Sequence, residues 1–307
     1  MTPLPTAHEG LIALSLVGPT ASGKSAVALA MARRDPSLEL VSVDSMQVYR
    51  GMDIGTAKPT HAEQAEVPHH LIDLVDPDDE YDVARFQSDV TDALAGIEAR
   101  GHRAVLVGGT GLYLRAAVDG LTFPGRFPGI RAELDEDADT EAMHRRLAEL
   151  DPVAAGRMEP GNRRRVVRAL EVTLGSGRPF SSFGPGLETY PPLAFPIVGL
   201  EVERDDLDRR IEERFAAQLD AGFVEEVRRI RGRRGGFSRS AGQALGYREL
   251  RAHLDDELSF GEATDLAIKR TRRFARRQQR WFRRDPRIVL VAAGHNALAD
   301  IDARLGD

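Results

Sequence analysis

Residues 11–25 read LIALSLVGPTASGKS, and this stretch decides the fold. It opens with an apolar run, residues 11–17, that has the length of a buried β-strand. Residues 18–25 then match the phosphate-binding pattern G-x-x-x-x-G-K-[ST], which needs a strand before it and a helix after it. Residues 26–34 favour that helix. The order of strand, glycine-rich loop and helix predicts an α/β core with a phosphate site.

The loop supplies the chemistry that a di- or triphosphate needs. Backbone N–H groups of the loop and of the following helix N-terminus point at the phosphates, and Lys24 neutralises their charge. The hydroxyl of Ser25 can ligate Mg²⁺. A tight turn closed by glycines, without any ligand, is the alternative. The predicted diphosphate or nucleotide site consists of Gly18, Pro19, Thr20, Ala21, Ser22, Gly23, Lys24 and Ser25.

Alternating strands and helices extend this unit into a parallel sheet that is covered on both faces. The pattern predicts strands at residues 38–43 and 104–107, with a helix at residues 83–100 between them. The strand at residues 104–107 runs into the glycine turn GGTG, residues 108–111. The sheet resumes with a strand at residues 197–200.

A helical insertion interrupts this core. Residues 121–196 contain helical stretches separated by Gly and Pro, and no convincing strand. The clearest helix spans residues 162–174, with Gly175 as its predicted stop. Beyond the insertion, a long helix is predicted to begin at Asp205 as N-cap and to end before Gly222. We therefore expect a P-loop NTPase-like core of residues 1–121 and 197–307 and an inserted all-helical domain of residues 122–196.

The composition limits the class of protein. The chain has 307 residues, a formal net charge of −6, and ordinary apolar and charged fractions of 42% and 29%. These values exclude wholesale disorder and collagen. Without cysteine there is no disulfide, no cysteine nucleophile and no cysteine-ligated metal. No apolar run reaches the roughly 20 residues that span a bilayer. The first apolar run, residues 11–17, is not preceded by the basic residues of a signal peptide. We therefore expect a cytoplasmic enzyme without a membrane partner.

The net charge conceals an uneven distribution. Residues 262–287 carry ten bases and three acids, a sum of +7, which leaves −13 for the rest of the chain. The predicted last helix, residues 262–284, places arginines around most of its surface. A solvated surface and a membrane-surface helix remain open, but the single sign of charge and the weak apolar stripe favour a nucleic-acid surface. A second basic cluster, residues 163–168, lies in the insertion.

Polar residues after other strands offer further chemistry. Asp44 follows the second strand, at the edge where open α/β sheets bind ligands, and could be a metal ligand, a general base or a helix cap. No strand ends in the acidic residue of a Walker B element, which argues against a motor ATPase. His69 and His70 are adjacent and lack a third ligand at a fixed spacing, so we expect structural roles for both.

Several segments together resemble the bacterial tRNA dimethylallyltransferases. The resemblance runs in order and without large gaps from about residue 11 to residue 284, which is most of the chain. The matching strings are GPTASGKS from residue 18, DSMQVYRGMDIGTAKP from 44, VPHHLID from 67, LVGGTGLYL from 106, RALEV from 168, GYRE from 246 and RRFARRQQRWFRR from 272.

The resemblance implies that a dimethylallyl group passes from dimethylallyl diphosphate to N6 of the adenosine immediately 3′ of the tRNA anticodon, with Mg²⁺ and release of diphosphate. The loop would then hold the leaving diphosphate, which accounts for the missing Walker B acid. Asp44 matches the family's proposed general base, and the adenine must leave its stack to reach it. The rival functions are an adenylate dimethylallyltransferase acting on free AMP or ATP, a small-molecule kinase and a noncatalytic RNA-binding protein.

The same matching implies tRNA contacts residue by residue. Ser45, Met46 and Gln47 match the segment that touches the target adenosine, Thr110 matches another tRNA contact, and most of the remaining contacts are to phosphates of the anticodon stem-loop. They are Asp44, Ser45, Met46, Gln47, Thr110, Arg131, Arg164, Arg165, Arg168, Gln243, Gly246, Tyr247, Arg248, Arg276, Arg277, Gln278, Arg280 and Arg283. Arg228 is a further candidate for diphosphate binding. Because the sequence shows no apolar seam for a partner, we expect a monomer without an obligate protein partner.

Overall fold

A fully parallel sheet of six strands forms the centre of the fold in a computed structural model, which describes residues 10–184 and 186–305. The strands are β1 (Ile12–Val17), β2 (Leu38–Ser42), β3 (His69–His70), β4 (Arg103–Gly108), β5 (Ile197–Glu201) and β6 (Ile288–Ala292). Their spatial order is β3-β2-β4-β1-β5-β6, and every neighbouring pair is parallel. The predicted α/β class, a P-loop NTPase-like core with a helical insertion, is confirmed.

Helices connect these strands and complete the core. They are α1 (Lys24–Arg34), α2 (His61–Glu66), α3 (Val83–Ala99), α4 (Gly111–Val118), α9 (Arg204–Asp220), α10 (Phe223–Arg231), α11 (Tyr247–Leu254), α12 (Phe260–Phe282) and α13 (Ala297–Leu305), with α5 to α8 in the insertion. The main apolar cluster lies between the sheet and α1, where Leu14, Leu16 and Val105 are fully buried. Burial of such side chains is the main source of stability in a core of this kind.

The register of the sheet brings three loops to one edge. Val17 at the end of β1 pairs with Gly108, and Ser42 at the end of β2 pairs with Val107. The loops that leave β1, β2 and β4 therefore emerge side by side, at the carboxyl edge where open α/β sheets bind ligands. These loops carry the phosphate-loop motif, Asp44 and the GGTG turn.

Residues 119–191 form a separate compact unit, whereas the sequence places the insertion at residues 122–196. Its helices are α5 (Pro128–Glu136), α6 (Thr140–Leu150), α7 (Pro152–Gly156) and α8 (Arg163–Ser176), and its described residues form no strand. They enclose their own apolar core, in which Leu147, Val166 and Leu170 are fully buried.

Several helix boundaries differ from the sequence prediction. Helix α12 spans Phe260–Phe282 in place of the predicted residues 262–284, and it is not the last helix, because α13 follows it. Helix α8 continues through Gly175 and ends at Ser176, with Gly177 in the left-handed conformation at φ 68°. Gly175 is a close-packing position, because a Cβ there would lie 2.1 Å from the ring of Phe127. Helix α9 begins at Arg204 with Glu203 at the N-cap position, so Asp205 is not the N-cap. It lies in the first turn, where the helix dipole favours negative charge.

The two edge strands are not among the strands predicted from the sequence. β3 contains only His69 and His70, which is too short for a periodic signal. β6 spans Ile288–Ala292. Among the described residues, no helix is both long and apolar enough to cross a bilayer.

Candidate active site

The loop between β1 and α1 has the geometry of an anion cradle. Gly23 at φ 87° and Ala21 at φ 63° take left-handed conformations that turn the chain back toward the sheet. Gly23 precedes α1, and no side chain caps the N–H groups of its first turn. These groups carry the positive end of the helix dipole. The side chain of Ser25 is exposed beside them. The predicted phosphate residues thus form one continuous loop around a helix N-terminus.

Two cations and one carboxylate meet at this loop. Lys24 donates from Nζ to the carbonyl oxygen of Pro19 at 3.2 Å. Burial lowers its pKa to about 8; Asp44 opposes this shift and the charge of Arg214 adds to it. Arg214 on α9 donates from Nη1 to the hydroxyl of Thr20 at 3.2 Å, and burial lowers its pKa as well, against the charge of Asp44. The arrangement concentrates positive charge where a diphosphate would lie.

Arg214 is not among the diphosphate-binding residues predicted from the sequence, which include Arg228 as a further candidate. Arg228 is exposed and paired with Glu225, which makes it a poor diphosphate ligand. A signal for Arg214 was present, because it lies three residues after Ile211 on the apolar face of α9, where Leu207 and Phe215 are also buried. An arginine on the buried face of an amphipathic helix requires a partner, and here the partners lie in the active site.

Asp44 lies two residues beyond the end of β2 and is half-buried. Its Oδ1 accepts the backbone N–H of Met46 at 2.8 Å, so the carboxylate caps a turn and not a helix. No hydrogen bond from the described residues reaches Oδ2. This oxygen remains able to accept a proton or a metal ion.

The residues matched to the target adenosine form a group with Asp44. Thr110 of the GGTG turn accepts the N–H of Ser45 at 3.3 Å through its hydroxyl oxygen. The side chain of Gln47 accepts from the hydroxyl of Ser42 at 2.8 Å and donates to the carbonyl oxygen of Ala57 at 3.3 Å. Hydrogen bonds thus hold residues 44–47 against the ends of β2 and β4.

Three predicted tRNA contacts are instead buried parts of the core. Gln278 on α12 accepts the N–H of Thr20 at 2.9 Å and donates to the carbonyl oxygen of Gly109 at 2.7 Å, so it connects the phosphate loop to the GGTG turn. Tyr247 is buried, and its hydroxyl donates to Glu226. Gly246 has φ 83°, and a Cβ there would lie 2.6 Å from the ring of Phe223. Surface contact with tRNA does not fit these three positions, whereas Gln243 is exposed and Arg248 is half-exposed.

The basic residues of α12 and of the two positions after it divide into two sets. The paired set consists of Arg270, Arg272, Arg276 and Arg283, which form ion pairs with Glu249, Glu212, Asp208 and Glu201 respectively. The free set comprises exposed cations that form no ion pair with any described residue: Lys269, Arg273, Arg277 and Arg280 on one stripe of α12, and Arg284 just beyond its end. Of the predicted tRNA contacts, Arg277 and Arg280 belong to the free set, and Arg276 and Arg283 to the paired set.

The arginines of the insertion divide in the same way. Arg168 pairs with the buried Glu171 and donates to the carbonyl oxygen of Pro124 at 2.8 Å. Arg131 pairs with Asp135 at 2.8 Å. Arg164 and Arg165 are exposed and form no ion pair within residues 10–184 and 186–305. Of the basic cluster at residues 163–168, these two arginines are available to a phosphate.

The two adjacent histidines make structural contacts. His70 Nε2 lies 2.5 Å from Oε2 of the buried Glu39 near the start of β2, where Arg100 and His102 also bind this carboxylate. His69 Nδ1 lies 2.7 Å from the carbonyl oxygen of Val67. In the described part of the chain, no three His, Cys, Asp or Glu side chains converge as a metal-ligand group.

Comparison with known families gives two matches that together span most of the chain. The family model for IPP transferase matches residues 47–285, and the model for isopentenyl transferase matches residues 12–73. The chain is 46% identical to a tRNA dimethylallyltransferase of Bifidobacterium longum over 94% of this chain and 88% of that protein. It is 49% identical to a tRNA dimethylallyltransferase of Geobacter metallireducens over 89% and 90% of the two chains.

Solved structures show the same fold. The tRNA isopentenylpyrophosphate transferase of Bacillus halodurans superposes with a TM-score of 0.70 and 35% identity, covering 96% of this chain and 97% of that one. A eukaryotic dimethylallyltransferase described as acting on tRNA superposes with a TM-score of 0.78 at 24% identity, over 95% and 77% of the two chains. The latter likeness supports the fold alone.

Proposed function

Because the chain belongs to the IPP transferase family, it catalyses dimethylallyl transfer to tRNA, and we propose that it takes the group from dimethylallyl diphosphate and places it on N6 of the adenosine immediately 3′ of the anticodon. One observation carries the assignment of the site. Lys24, Arg214 and Asp44, whose charges interact, meet at the carboxyl edge of the sheet, next to an uncapped helix N-terminus.

The cationic side of the site suits the leaving group. As N6 attacks the first carbon of the dimethylallyl group, the bond from that carbon to the diphosphate oxygen breaks, and negative charge grows on the diphosphate. Lys24, Arg214 and the N–H groups at the start of α1 lie where they can stabilise this charge. Donors that are already oriented before the reaction are the most effective source of such stabilisation.

We assign Asp44 as the base on the acceptor side. Its Oδ2 accepts no hydrogen bond from the described residues, while Oδ1 is fixed by the N–H of Met46. Once N6 bonds to carbon while it still carries both hydrogens, it is positively charged and must lose a proton. Oδ2 can accept that proton. The proton ends on the carboxylate and the electron pair of the broken bond on the diphosphate, so the step is balanced.

A magnesium ion fits the donors present. Mg²⁺ binds through one or two protein oxygens, substrate phosphates and water, so it does not need a dedicated cluster of side chains. The exposed hydroxyl of Ser25 would hold it at the start of α1. When bound, the ion would neutralise charge on the diphosphate.

The exposed cations support an extended RNA partner in place of a free nucleotide. No carboxylate of a described residue neutralises the free set, and the same holds for Arg164 and Arg165 on α8. Phosphates of a tRNA stem-loop are the matching counter-charge. A free adenine nucleotide would not occupy either surface.

The test is transfer of label from radioactive dimethylallyl diphosphate to three acceptors: an anticodon stem-loop with adenosine 3′ of the anticodon, the same stem-loop with guanosine there, and AMP. We expect label in the first only, and loss of transfer when EDTA removes Mg²⁺. Label in AMP but not in RNA would refute the proposed acceptor, and equal labelling of both stem-loops would refute the proposed position.

We also propose that the chain acts as a monomer, in the cytoplasm where its tRNA substrate is found. Among the described residues, the exposed large apolar side chains are Leu150, Val153, Phe260 and Val289. A stable dimer normally buries a larger continuous apolar area. Sedimentation of the purified chain at about 34 kDa, the mass of one copy, is the expected result.

A further inference from the structure

We propose that Glu226 on α10 is a positioning residue for this reaction, because it fixes the backbone of residues 53–55 and, through them, the orientation of the Gln47 amide beside the target adenosine. The inference rests on the proposed function for the identity of the acceptor. The contacts that carry it lie outside the phosphate loop and do not involve a group that the proposed mechanism uses.

Glu226 is a buried carboxylate that is saturated with donors. Only 1% of its side chain is exposed. Its Oε2 accepts the N–H groups of Asp53 at 3.0 Å and Ile54 at 2.9 Å. Its Oε1 accepts the N–H of Gly55 at 3.2 Å and the hydroxyl of Tyr247. Arg229 forms a longer ion pair with Oε2 at 4.0 Å. All four hydrogen-bond partners are donors, so only a side chain with two acceptor oxygens and no N–H can satisfy them together.

The same segment is fixed from its other sides. A Cβ on Gly55 would lie 2.3 Å from the ring of Phe223 and 2.4 Å from that of Tyr247, so the backbone packs directly on two aromatic rings. Gln218 on α9 donates to the carbonyl oxygens of Ile54 at 2.6 Å and Gly55 at 3.1 Å. With its N–H groups on Glu226 and its carbonyls on Gln218, this peptide segment has one defined orientation.

The carbonyl groups that follow this segment orient the adenosine side of the site. Gln47 donates from Nε2 to the carbonyl oxygens of Thr56 at 3.4 Å and Ala57 at 3.3 Å. Its Oε1 is held by the hydroxyl of Ser42 at 2.8 Å. A shift of residues 53–55 would therefore displace the acceptors of the Gln47 amide, in the segment that also contains Asp44.

Helix α9 connects residues 53–55 to the diphosphate side of the site. Gln218 follows Arg214 by one helical turn on α9, and Arg214 donates to Thr20 in the phosphate loop. The phosphate loop has an independent clamp, since Gln278 holds the N–H of Thr20 from α12. Loss of Glu226 should therefore disturb the adenosine side first and leave diphosphate binding largely intact.

The decisive variant is Glu226→Gln, which replaces one acceptor oxygen by an NH₂ group that faces donors. We expect kcat/KM for the anticodon stem-loop to fall about 100-fold, because a displacement of about 1 Å near the reacting groups has effects of this size. The dissociation constant of dimethylallyl diphosphate should change by less than about threefold. Tyr247→Phe removes one of the four donors and should show a smaller loss in the same parameter.

Glu225→Gln is the matched control. Glu225 is the neighbouring residue on α10, carries the same charge, and is exposed in an ion pair with Arg228. This variant should keep wild-type kinetics, which separates the effect of the buried carboxylate from a change in net charge. The melting temperature of each variant is measured beside its kinetics.

Unchanged kinetics for tRNA in Glu226→Gln would overturn the proposal. Equal losses of diphosphate affinity and tRNA turnover would also overturn it, because they would show a general structural role. If Glu226→Gln does not fold, Tyr247→Phe decides the question through kcat/KM for tRNA at wild-type melting temperature. A wild-type enzyme that labels AMP and not RNA would refute the proposed acceptor, whereas an active wild type with an unaffected Glu226→Gln refutes only the positioning role.

Discussion

The division of the α12 cations leads to a quantitative prediction for tRNA binding. Replacing Arg273, Arg277 and Arg280 of the free set by Gln removes three charges that form no ion pair with any described residue. If each contacts one phosphate, the slope of log K against log salt should become shallower by about 2 to 3, at about 0.7 to 0.9 for each contact. Between about 50 and 200 mM salt, the variant should lose roughly 20- to 40-fold less affinity than the wild type.

The paired set provides a control with the same change in net charge. Replacing Arg272, Arg276 and Arg283 by Gln also removes three positive charges, but these belong to ion pairs with carboxylates on α9 and β5. We expect the salt slope to change by less than about 1, together with a small loss of stability, since a surface pair contributes about 0 to 1 kcal/mol.

The assay is filter binding or fluorescence anisotropy of a labelled anticodon stem-loop at five salt concentrations, without dimethylallyl diphosphate. Because both variants lose the same charge, any difference between their slopes reports local phosphate contacts and not the general field of the protein. Equal slopes for the two variants would refute the assignment of the free set. An unchanged slope in the free-set variant would make that stripe an ordinary solvated surface.

Three further predictions concern single residues. Asp44→Asn should lower kcat by about 10²- to 10⁴-fold while the dissociation constant of tRNA stays near the wild-type value; parallel losses would make Asp44 a binding residue and not a base. Because burial lowers the pKa of Lys24 to about 8, affinity for a dimethylallyl diphosphate analogue should be full below pH 8 and fall as pH rises above it. Calorimetry at pH 7 and 9.5 checks this, and Lys24→Arg should flatten the dependence. Hydrogen bonds, first from Arg100 and then from the two histidines, lower the pKa of the Glu39 carboxyl from 4.5 to about 2. Its contribution to stability should be complete above pH 4.5 and be lost as pH falls toward 2. Glu39→Gln should cost roughly 2 to 3 kcal/mol at pH 7 in urea unfolding and reduce the acid dependence, and an unchanged urea midpoint would contradict this.

Much of the fold can be predicted from the sequence, because the patterns that indicate its strands, loops and helices each lie within a short stretch of chain. The strand, loop and helix of residues 11–34 are contiguous, and the loop pattern needs only its own glycines, Lys24 and Ser25. The edge strand β3 has no such signal, because two histidines become a strand only when their backbone groups pair with β2. The sequence predicts the end of α8 at the wrong residue, because a glycine near a helix end usually terminates the helix. Gly175 is instead a glycine because the ring of Phe127 leaves no room for a side chain there.

Part of the site was also predictable from the sequence, and part of it was not. Asp44 could be placed at the edge of the sheet, because the carboxyl end of a parallel strand is a fixed position in the fold. Arg214 could not be assigned to the phosphate loop, since it reaches Thr20 across 194 positions of sequence. Gln278 looked like part of a basic surface, and only its contact with Thr20, 258 positions away, shows that it is buried in the core.

The sequence by itself determined the phosphate loop, the parallel core with its helical insertion, the carboxylate after β2 and the excess of positive charge on the last helix. That helix is α12, which α13 follows, and the tertiary structure decided which of its charges are available to a ligand. Arg272 and Arg273 are adjacent and chemically identical, yet Arg272 pairs with Glu212 on α9 and Arg273 faces solvent. The reason is physical: composition fixes how many charges a chain carries, but whether a charge is neutralised depends on which carboxylates the fold brings within a few ångströms of it.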